Sequence, residues 1–197
     1  MSDAAPGEED RRPLILDACV VLNLFATRRM DEILHAQGVE VLVAERVRKE
    51  SLKVGHGRAD DVSAEPELVN LAPFIESGIL QFARLNGNAE FTAFVRLARD
   101  LDDGEAECGA IAMCRGWRVA TDDKKARRVF AGLTPAVGCV RTSEMIRVWV
   151  ERAGAAADVV RDALRDIRVR ARFEPPPTDP LWQWWMKSRP AVNETAD

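Results

Sequence analysis

The sequence lacks the features that identify several common classes of protein. It has two histidines and four cysteines without CxxC spacing, which argues against a zinc site and favours reduced thiols in a cytoplasmic protein. Its longest apolar stretches, 18–26 and 39–44, each contain a polar residue and are too short to span a bilayer. The first residues carry no apolar core of a secretory signal, so we expect a flexible tail over 1–12.

A strong positive charge is also missing. The formal net charge is −4, whereas neutralisation of phosphates by Lys and Arg is the main sequence-independent source of affinity for nucleic acid. This balance argues against a protein that holds nucleic acid by bulk charge alone. It leaves room for an enzyme with an acidic pocket and a basic rim. Basic residues do cluster within 46–53, 124–128 and 161–172, although each cluster is equally explained as a solvated helix face.

The pattern that is present is an alternation of short apolar runs with helical segments. We predict strands at 13–17, 39–43, 79–83, 117–121 and 136–140, and the segments between them include predicted helices over 44–53 and 66–77. Strands separated by helices require crossover connections, which build a mostly parallel sheet with helices on both faces. The sequence therefore predicts an α/β fold with three α/β/α layers and about five parallel strands.

The predicted strands and their helices occupy one domain over 13–152. The segment 153–197 lies outside this pattern: an amphipathic helix runs to about residue 172, and a tryptophan-rich stretch follows three prolines. Exposed together, Trp182, Trp184 and Trp185 would form an unusually large apolar patch. We therefore expect these side chains to be buried against the domain or against a partner.

Acidic residues fall where the strands of such a sheet end. Ligands of open α/β sheets bind beyond the carboxyl ends of the strands. Asp17 ends the first predicted strand, and the pair Asp122 and Asp123 follows the fourth. Two helices add further acids: Glu50 follows the second strand, and Glu105 opens the helix before the fourth strand. Four separate segments can thus deliver carboxylates to one end of the sheet.

Each acid also has a structural interpretation. Asp17, Asp103 and Asp123 are suited to capping helices, and Glu45 and Glu107 compete with Glu50 and Glu105 for their roles. Taken together the acids suggest more, because carboxylates about 4 Å apart repel by about 4 kcal/mol per pair at an effective dielectric near 20. A pocket of such groups favours a divalent cation, and oxygen ligands select Mg²⁺ or Mn²⁺.

Three segments resemble PIN domains. Residues 14–26 (LILDACVVLNLFA) resemble the first strand and helix of that family, where an Asp closes the strand. Residues 41–51 (VLVAERVRKES) resemble its second segment, and the match places the second acid at Glu50. Residues 101–129 (LDDGEAECGAIAMCRGWRVATDDKKARRV) resemble a variant in which a Gly-Glu helix precedes a strand that ends Thr-Asp-Asp. The resemblance extends over roughly 14–150.

The resemblance implies a Mg²⁺- or Mn²⁺-dependent endoribonuclease of the VapC-like toxin kind, partnered by RNA, by a cognate antitoxin and by a second copy of the chain, and not by a membrane. The catalytic acids it implies are Asp17, Glu50, Glu105 and Asp123. The implied metal ligands are Asp17, Glu105, Asp122 and Asp123. Thr121 supplies a supporting hydroxyl, and the predicted RNA phosphate contacts are Lys124, Lys125, Arg46 and Lys49.

Two other functions remain open at this point. The family often has Thr-Asn after the first Asp, and this chain has Ala18-Cys19, a departure that leaves open a PIN-like module that binds RNA or a partner protein without cleaving. A phosphoryl-transfer domain of the response-regulator or phosphatase type would use Asp17 as a nucleophile. The additional acids on two helices and the lack of a clear Lys on the fifth strand argue against that last function.

Overall fold

The computed structural model describes residues 11–49, 52–55 and 66–190, and the side chains of Arg48 and Lys49 fall outside this description. The chain divides into two compact units, each assembled from separate stretches of sequence. The first comprises 11–18, 38–49 and 71–140, and the second comprises 19–37, 52–55, 66–70 and 141–190. None of the helices within these ranges has the length and apolar character needed to cross a membrane.

The described ranges contain short strands and mostly short helices. The strands are β1 (Leu14–Leu16), β2 (Val41–Ala44), β3 (Lys53–Val54), β4 (Glu67–Leu68), β5 (Gln81–Ala83), β6 (Arg118–Ala120) and β7 (Cys139–Val140). The helices are α1 (Ala18–Ala26), α2 (Met30–Ala36), α3 (Glu45–Lys49), α4 (Ala72–Glu76), α5 (Gly87–Leu97), α6 (Asp103–Arg115), α7 (Lys124–Ala131), α8 (Thr142–Ala153), α9 (Ala157–Arg170) and α10 (Trp182–Ser188).

A five-stranded parallel sheet forms the centre of the first unit. Its strand order is β5-β2-β1-β6-β7, and every neighbouring pair is parallel. The central strands β1 and β2 are buried along their whole length, which explains why they are continuous apolar runs and do not alternate with polar residues. The predicted α/β class with about five parallel strands is confirmed.

The strand register brings the residues that follow β1 and β6 together. Leu16 pairs with Ala120, and the amide of Asp17 donates to the Ala120 carbonyl at 3.0 Å. The amide of Thr121 donates in turn to the Val140 carbonyl of β7 at 2.9 Å. The side chains of Asp17 and Thr121 therefore start from adjacent points on the carboxyl edge of the sheet.

Helix α6 packs closely on this sheet because its inward face is made of small residues. It contacts β1, β2 and β6, and the Cys108 thiol lies 3.6 Å from the Leu16 carbonyl. At Gly109 the approach of neighbouring helices is closest: an added Cβ would lie 2.3 Å from Cε1 of Phe130 and 3.0 Å from Cδ1 of Leu97. The position of α6, and of the acids at its start, depends on this close contact.

The second unit is held together by a buried arginine. Arg170 of α9 is 4% exposed and donates to the carbonyls of Gly55 at 3.1 Å and Ala26 at 2.8 Å, and it pairs with Glu67. These contacts connect α9 with the end of α1 and with the β3-β4 hairpin, whose two strands are antiparallel. Elsewhere in the unit α2 packs on α8, and α10 packs on α9.

Two predicted helices are wrong in part. In the segment predicted as helix over 44–53, Glu45–Lys49 is helical, residues 50–51 lie outside the described residues, and Lys53 begins β3. In the segment predicted over 66–77, β4 comes first and helix is limited to Ala72–Glu76, with a proline in its first turn. The local pattern could not reveal these strands, because they pair with each other and the Gly55 amide bonds to the Arg170 carbonyl far along the chain.

The tryptophan-rich stretch is helix α10, which the sequence pattern did not predict. Trp185 is 1% exposed and packs edge-on against the ring of Phe173, with ring centres 5.8 Å apart. Trp182 and Trp184 are half-buried, and the Arg147 guanidinium lies 5.1 Å from the centre of the Trp184 ring. The expected burial is therefore complete for Trp185 and partial for the other two.

We expect Gly109→Ala to destabilise the protein although alanine favours helices. The added methyl group meets the ring of Phe130, which is itself 1% exposed and cannot move aside freely. Overpacking of this kind costs about 1–3 kcal/mol, measurable by urea denaturation. Gly132→Ala is the matched control: its new Cβ has no neighbour nearer than the Val129 carbonyl at 3.4 Å, so we expect a change within about 0.5 kcal/mol. Equal effects of the two variants would contradict this explanation.

Candidate active site

Asp17 is the most firmly held acid of the candidate site. It follows the buried strand β1 and is 5% exposed. One carboxylate oxygen accepts a hydrogen bond from the Thr121 hydroxyl at 3.0 Å, and the other accepts from the Ala18 amide at 2.7 Å. Hydrogen bonds to both oxygens offset the cost of burying a carboxylate and fix its orientation. The carboxylate is thus held at the carboxyl edge of the sheet.

Thr121 connects this acid to the end of β6. Its side chain is fully buried, and its hydroxyl both donates to Asp17 and accepts from the amide of Asp123 at 3.2 Å. A hydroxyl offers one donor and two acceptor positions, so this arrangement satisfies it without water. The sequence-based prediction that Thr121 supports the acids agrees with this placement.

Asp123 is exposed and caps helix α7. One carboxylate oxygen accepts from the Ala126 amide at 2.7 Å, which confirms the capping interpretation for this residue. The cap fixes the side chain at the N-terminus of α7, and the backbone amide of the same residue donates to the Thr121 hydroxyl. Asp122 is half-buried and its carbonyl accepts from the Arg127 guanidinium. The exposed residues Lys124 and Lys125, predicted to contact RNA phosphates, form the first turn of α7.

Glu105 joins these acids from helix α6. It forms a capping box with Asp102: the Glu105 amide donates to the Asp102 carboxylate at 2.8 Å, and the Asp102 amide donates to the Glu105 carboxylate at 3.3 Å. The cap is therefore Asp102 and not the predicted Asp103. An Asp followed three residues later by Glu is the sequence signature of this motif, so the pattern itself could have revealed it.

The pKa of the Glu105 carboxyl is raised by burial and by the charges of neighbouring acids. Burial of the group raises its pKa first, and the negative charge of Asp102 raises it further, against the opposing effect of the hydrogen bond from the Asp102 amide. Asp17 and Asp123 also contribute, and the resulting pKa is about 7 in place of the ordinary 4.5. Acids from the ends of β1 and β6 and from the start of α6 thus interact electrostatically.

Glu107, the rival of Glu105, has a different environment. It is 4% exposed and accepts from the Arg46 amide at 3.1 Å, which joins the start of α3 to α6. The Arg46 guanidinium lies 3.8 Å from Glu107, 3.0 Å from Asp103 and 4.8 Å from the centre of the Phe94 ring. The structure thus brings Arg46, a predicted phosphate contact, against two carboxylates. Sequence reasoning missed this cluster because no local pattern links α3 to α6.

The remaining predicted residues belong to the second segment of the resemblance. Glu50 and the side chain of Lys49 lie outside the described residues. Glu45, the rival of Glu50, is half-buried and pairs with Arg84 at 3.3 Å.

The carboxylates of the candidate site can be compared with the ligands that a divalent cation requires. Within the described residues, no three His, Cys, Asp or Glu side chains are grouped closely enough to hold a metal ion. Mg²⁺, however, keeps several waters and often takes only one or two carboxylates together with substrate phosphates. Carboxylates whose charges raise the pKa of Glu105 fit such an open site, since a cation relieves their repulsion. They do not form a closed cage of protein ligands.

Comparison with protein-family models, with curated proteins and with solved structures finds no match to this chain.

The raised pKa of Glu105 should make stability depend on pH. Between 4.5 and about 7 the folded chain binds more protons than the unfolded chain, so the free energy of unfolding falls as the pH rises through this range. Glu105→Gln removes this titration and keeps the capping box, because glutamine also serves at that position. We expect urea denaturation in EDTA at about pH 4 and about pH 8 to give a smaller fall in the variant than in the wild type. An equal fall in both would contradict the raised pKa.

Proposed function

We propose that this chain is a Mg²⁺- or Mn²⁺-dependent endoribonuclease of the PIN-like kind. The observation that carries the proposal is that Glu105 lies within the electrostatic reach of Asp17 and Asp123, two acids from other segments. Burial and the charge of Asp102 raise the pKa of Glu105 most, and Asp17 and Asp123 add to the rise, which brings it to about 7. A cluster of carboxylates with a perturbed pKa at the carboxyl edge of a parallel sheet is typical of a catalytic centre. The resemblance of 14–26 and 101–129 to PIN domains gives the reaction class.

In this proposal Asp17 is the fixed acid of the site. Its carboxylate is oriented by Thr121 and by the Ala18 amide. Preorganised charge of this kind needs no rearrangement during the reaction. Asp17 and Asp123 would hold a divalent cation, with Asp122 as an alternative ligand, and the bound ion would activate water and stabilise charge on the phosphodiester.

Glu105 is suited to handling a proton. A group whose pKa lies near the working pH can both accept and release a proton at a useful rate. The pKa of about 7 gives Glu105 this property at neutral pH. We therefore assign to Glu105 the proton taken from the attacking water or delivered to the leaving oxygen. Binding of a cation beside it would lower its pKa, because positive charge favours the ionised carboxylate.

The exposed basic residues beside the acids favour a phosphodiester substrate. Lys124 and Lys125 directly follow Asp123, at the N-terminus of α7, where ammonium groups and free amides both attract phosphate. Unstacked RNA would present its backbone to such a site more readily than a duplex. A cognate antitoxin and a second copy of the chain remain partners that the family resemblance predicts.

A PIN-like binding module is the second candidate function. It is favoured by one observation: the described residues contain no group of three side chains placed to hold a metal ion. Such a module would use the same basic residues to bind RNA and would not cleave it. Cleavage in the presence of Mn²⁺ separates the two candidates.

Substitution of the acids should abolish cleavage. With Mn²⁺ or Mg²⁺ we expect the protein to cut single-stranded RNA internally, and Asp17→Asn, Glu105→Gln and Asp123→Asn each to lower the rate by at least about 100-fold. Glu45→Gln, which removes an acid already paired with Arg84, is the matched control and should retain the activity. Circular dichroism should accompany each assay to show that the variant is folded. Asparagine at position 123 keeps an oxygen that can cap α7, so we expect that variant to fold. Full activity of a folded Asp17→Asn variant would contradict the proposal.

Divalent cations should also stabilise the folded chain. A ligand that binds only the folded state adds about 2.7 kcal/mol when its free concentration is about 100 times Kd. We expect Mn²⁺ to raise the melting temperature of the wild type, and Asp17→Asn to reduce that rise. Asp162→Asn, an exposed acid of α9, should leave it unchanged. A melting temperature that stays constant up to millimolar Mn²⁺ would argue against a metal site.

A further inference from the structure

The exposed side of α9 separates its charges into two rows. Arg161, Arg165 and Arg168 recur at intervals of four and three residues, which brings them to one face of the helix, and Arg172 follows four residues later. Asp158, Asp162 and Asp166 recur at intervals of four and form a second row about 90° around the helix axis. The remaining side of the helix is its buried face, which includes Val160, Leu164 and Ile167.

Ion pairs within this region leave three of the arginines available. Arg165 lies 2.8 Å from Asp162 and 3.6 Å from Asp166, and Asp166 also pairs with Arg28 at 3.3 Å. Arg161, Arg168 and Arg172 are all exposed, and none of them pairs with an acid in the part of the chain that the structure describes. The row of aspartates is thus partly neutralised, whereas most of the row of arginines is not.

Arg172 occupies a backbone conformation in which glycine is usual. Its φ is 53°, in the left-handed region, directly after the C-cap of α9 at Ala171. An arginine at this point extends the basic row past the end of the helix. A glycine would fit the backbone with less strain but would end the row at Arg168.

We infer that Arg161, Arg168 and Arg172 form a surface that binds the phosphate backbone of RNA. The inference rests on the proposed function, and it adds a contact surface outside the candidate active site. Between Arg161 and Arg168 the helix rises about 10 Å, so the row can contact more than one phosphate of a strand. Guanidinium groups bind phosphate by paired hydrogen bonds, and such contacts carry affinity without reading sequence.

The composition of the surface favours RNA over a protein partner or a membrane. Interfaces between proteins are centred on apolar and aromatic side chains, and membrane-binding helices insert apolar residues. Among the described residues the large apolar side chains that are exposed are Leu68, Phe91 and Val95, and none of these belongs to α9. A row of arginines on a helix that has no large exposed apolar side chain suits a phosphate backbone, which offers charge and hydrogen-bond acceptors.

The salt dependence of RNA binding tests this inference. The probe is a labelled single-stranded RNA, titrated with the full chain in EDTA so that no cleavage occurs, between about 50 and 200 mM salt. The triple variant R161Q/R168Q/R172Q should bind more weakly, and its plot of log affinity against log salt should be less steep by about 2, because each lost phosphate contact removes about 0.7. Glutamine keeps the helix propensity of arginine, so the fold should survive.

A charge-matched control separates this surface from net charge. The variant R29Q/R84Q/R147Q also removes three positive charges, but these arginines pair with Glu32, Glu45 and Glu151, so its salt slope should stay near that of the wild type. Equal slopes for the wild type and the α9 variant would overturn the inference, as would a wild type that binds no RNA. In that case binding to polyglutamate should be measured as well. If the wild type and the control variant bind it and the α9 variant does not, the surface binds an acidic protein. Tight RNA binding without cleavage in Mn²⁺ would refute the nuclease proposal and leave this inference standing.

Discussion

The geometry of the candidate site depends on one hydrogen bond, from the Thr121 hydroxyl to the carboxylate of Asp17 at 3.0 Å. It joins the ends of β1 and β6, whose register places Leu16 beside Ala120. Both side chains are buried, so loss of this bond would remove a contact that offsets the cost of taking them out of water. The same hydroxyl accepts from the Asp123 amide, and the order of the acids along this edge follows from the pairing of two central strands.

Asp123 and Glu105 each cap a helix and each belong to the candidate site. Asp123 caps α7 and Glu105 closes the capping box of α6, and in these positions Glu105 interacts with both Asp17 and Asp123. Burial of Glu105 and the negative charges of Asp102, Asp17 and Asp123 oppose its ionisation, and together they raise its pKa. A helix cap and a ligand for a divalent cation are therefore compatible interpretations of one residue. The caps orient the acids, and a bound cation would relieve their repulsion.

The sequence predicted the parts of this arrangement that depend on local pattern. All five sheet strands lie within or next to the predicted apolar runs, and Asp17 and Thr121 follow β1 and β6 as expected. Strand order was not predictable, because the neighbours of a parallel strand are chosen by packing across the whole sheet. The β3-β4 hairpin was missed for a related reason: its strands are two residues long, and it is tied to Arg170, more than a hundred positions beyond Gly55.

The central claim is that Asp17, Glu105 and Asp123 share one electrostatic environment suited to a divalent cation. Carbon-13 NMR of the Glu105 side-chain carboxyl, titrated with pH in the absence and presence of Mg²⁺, measures this directly. The account predicts a pKa of about 7 without the ion. With Mg²⁺ bound it predicts a lower pKa, since a cation stabilises the ionised form. A pKa near the ordinary 4.5 that does not respond to Mg²⁺ would contradict it.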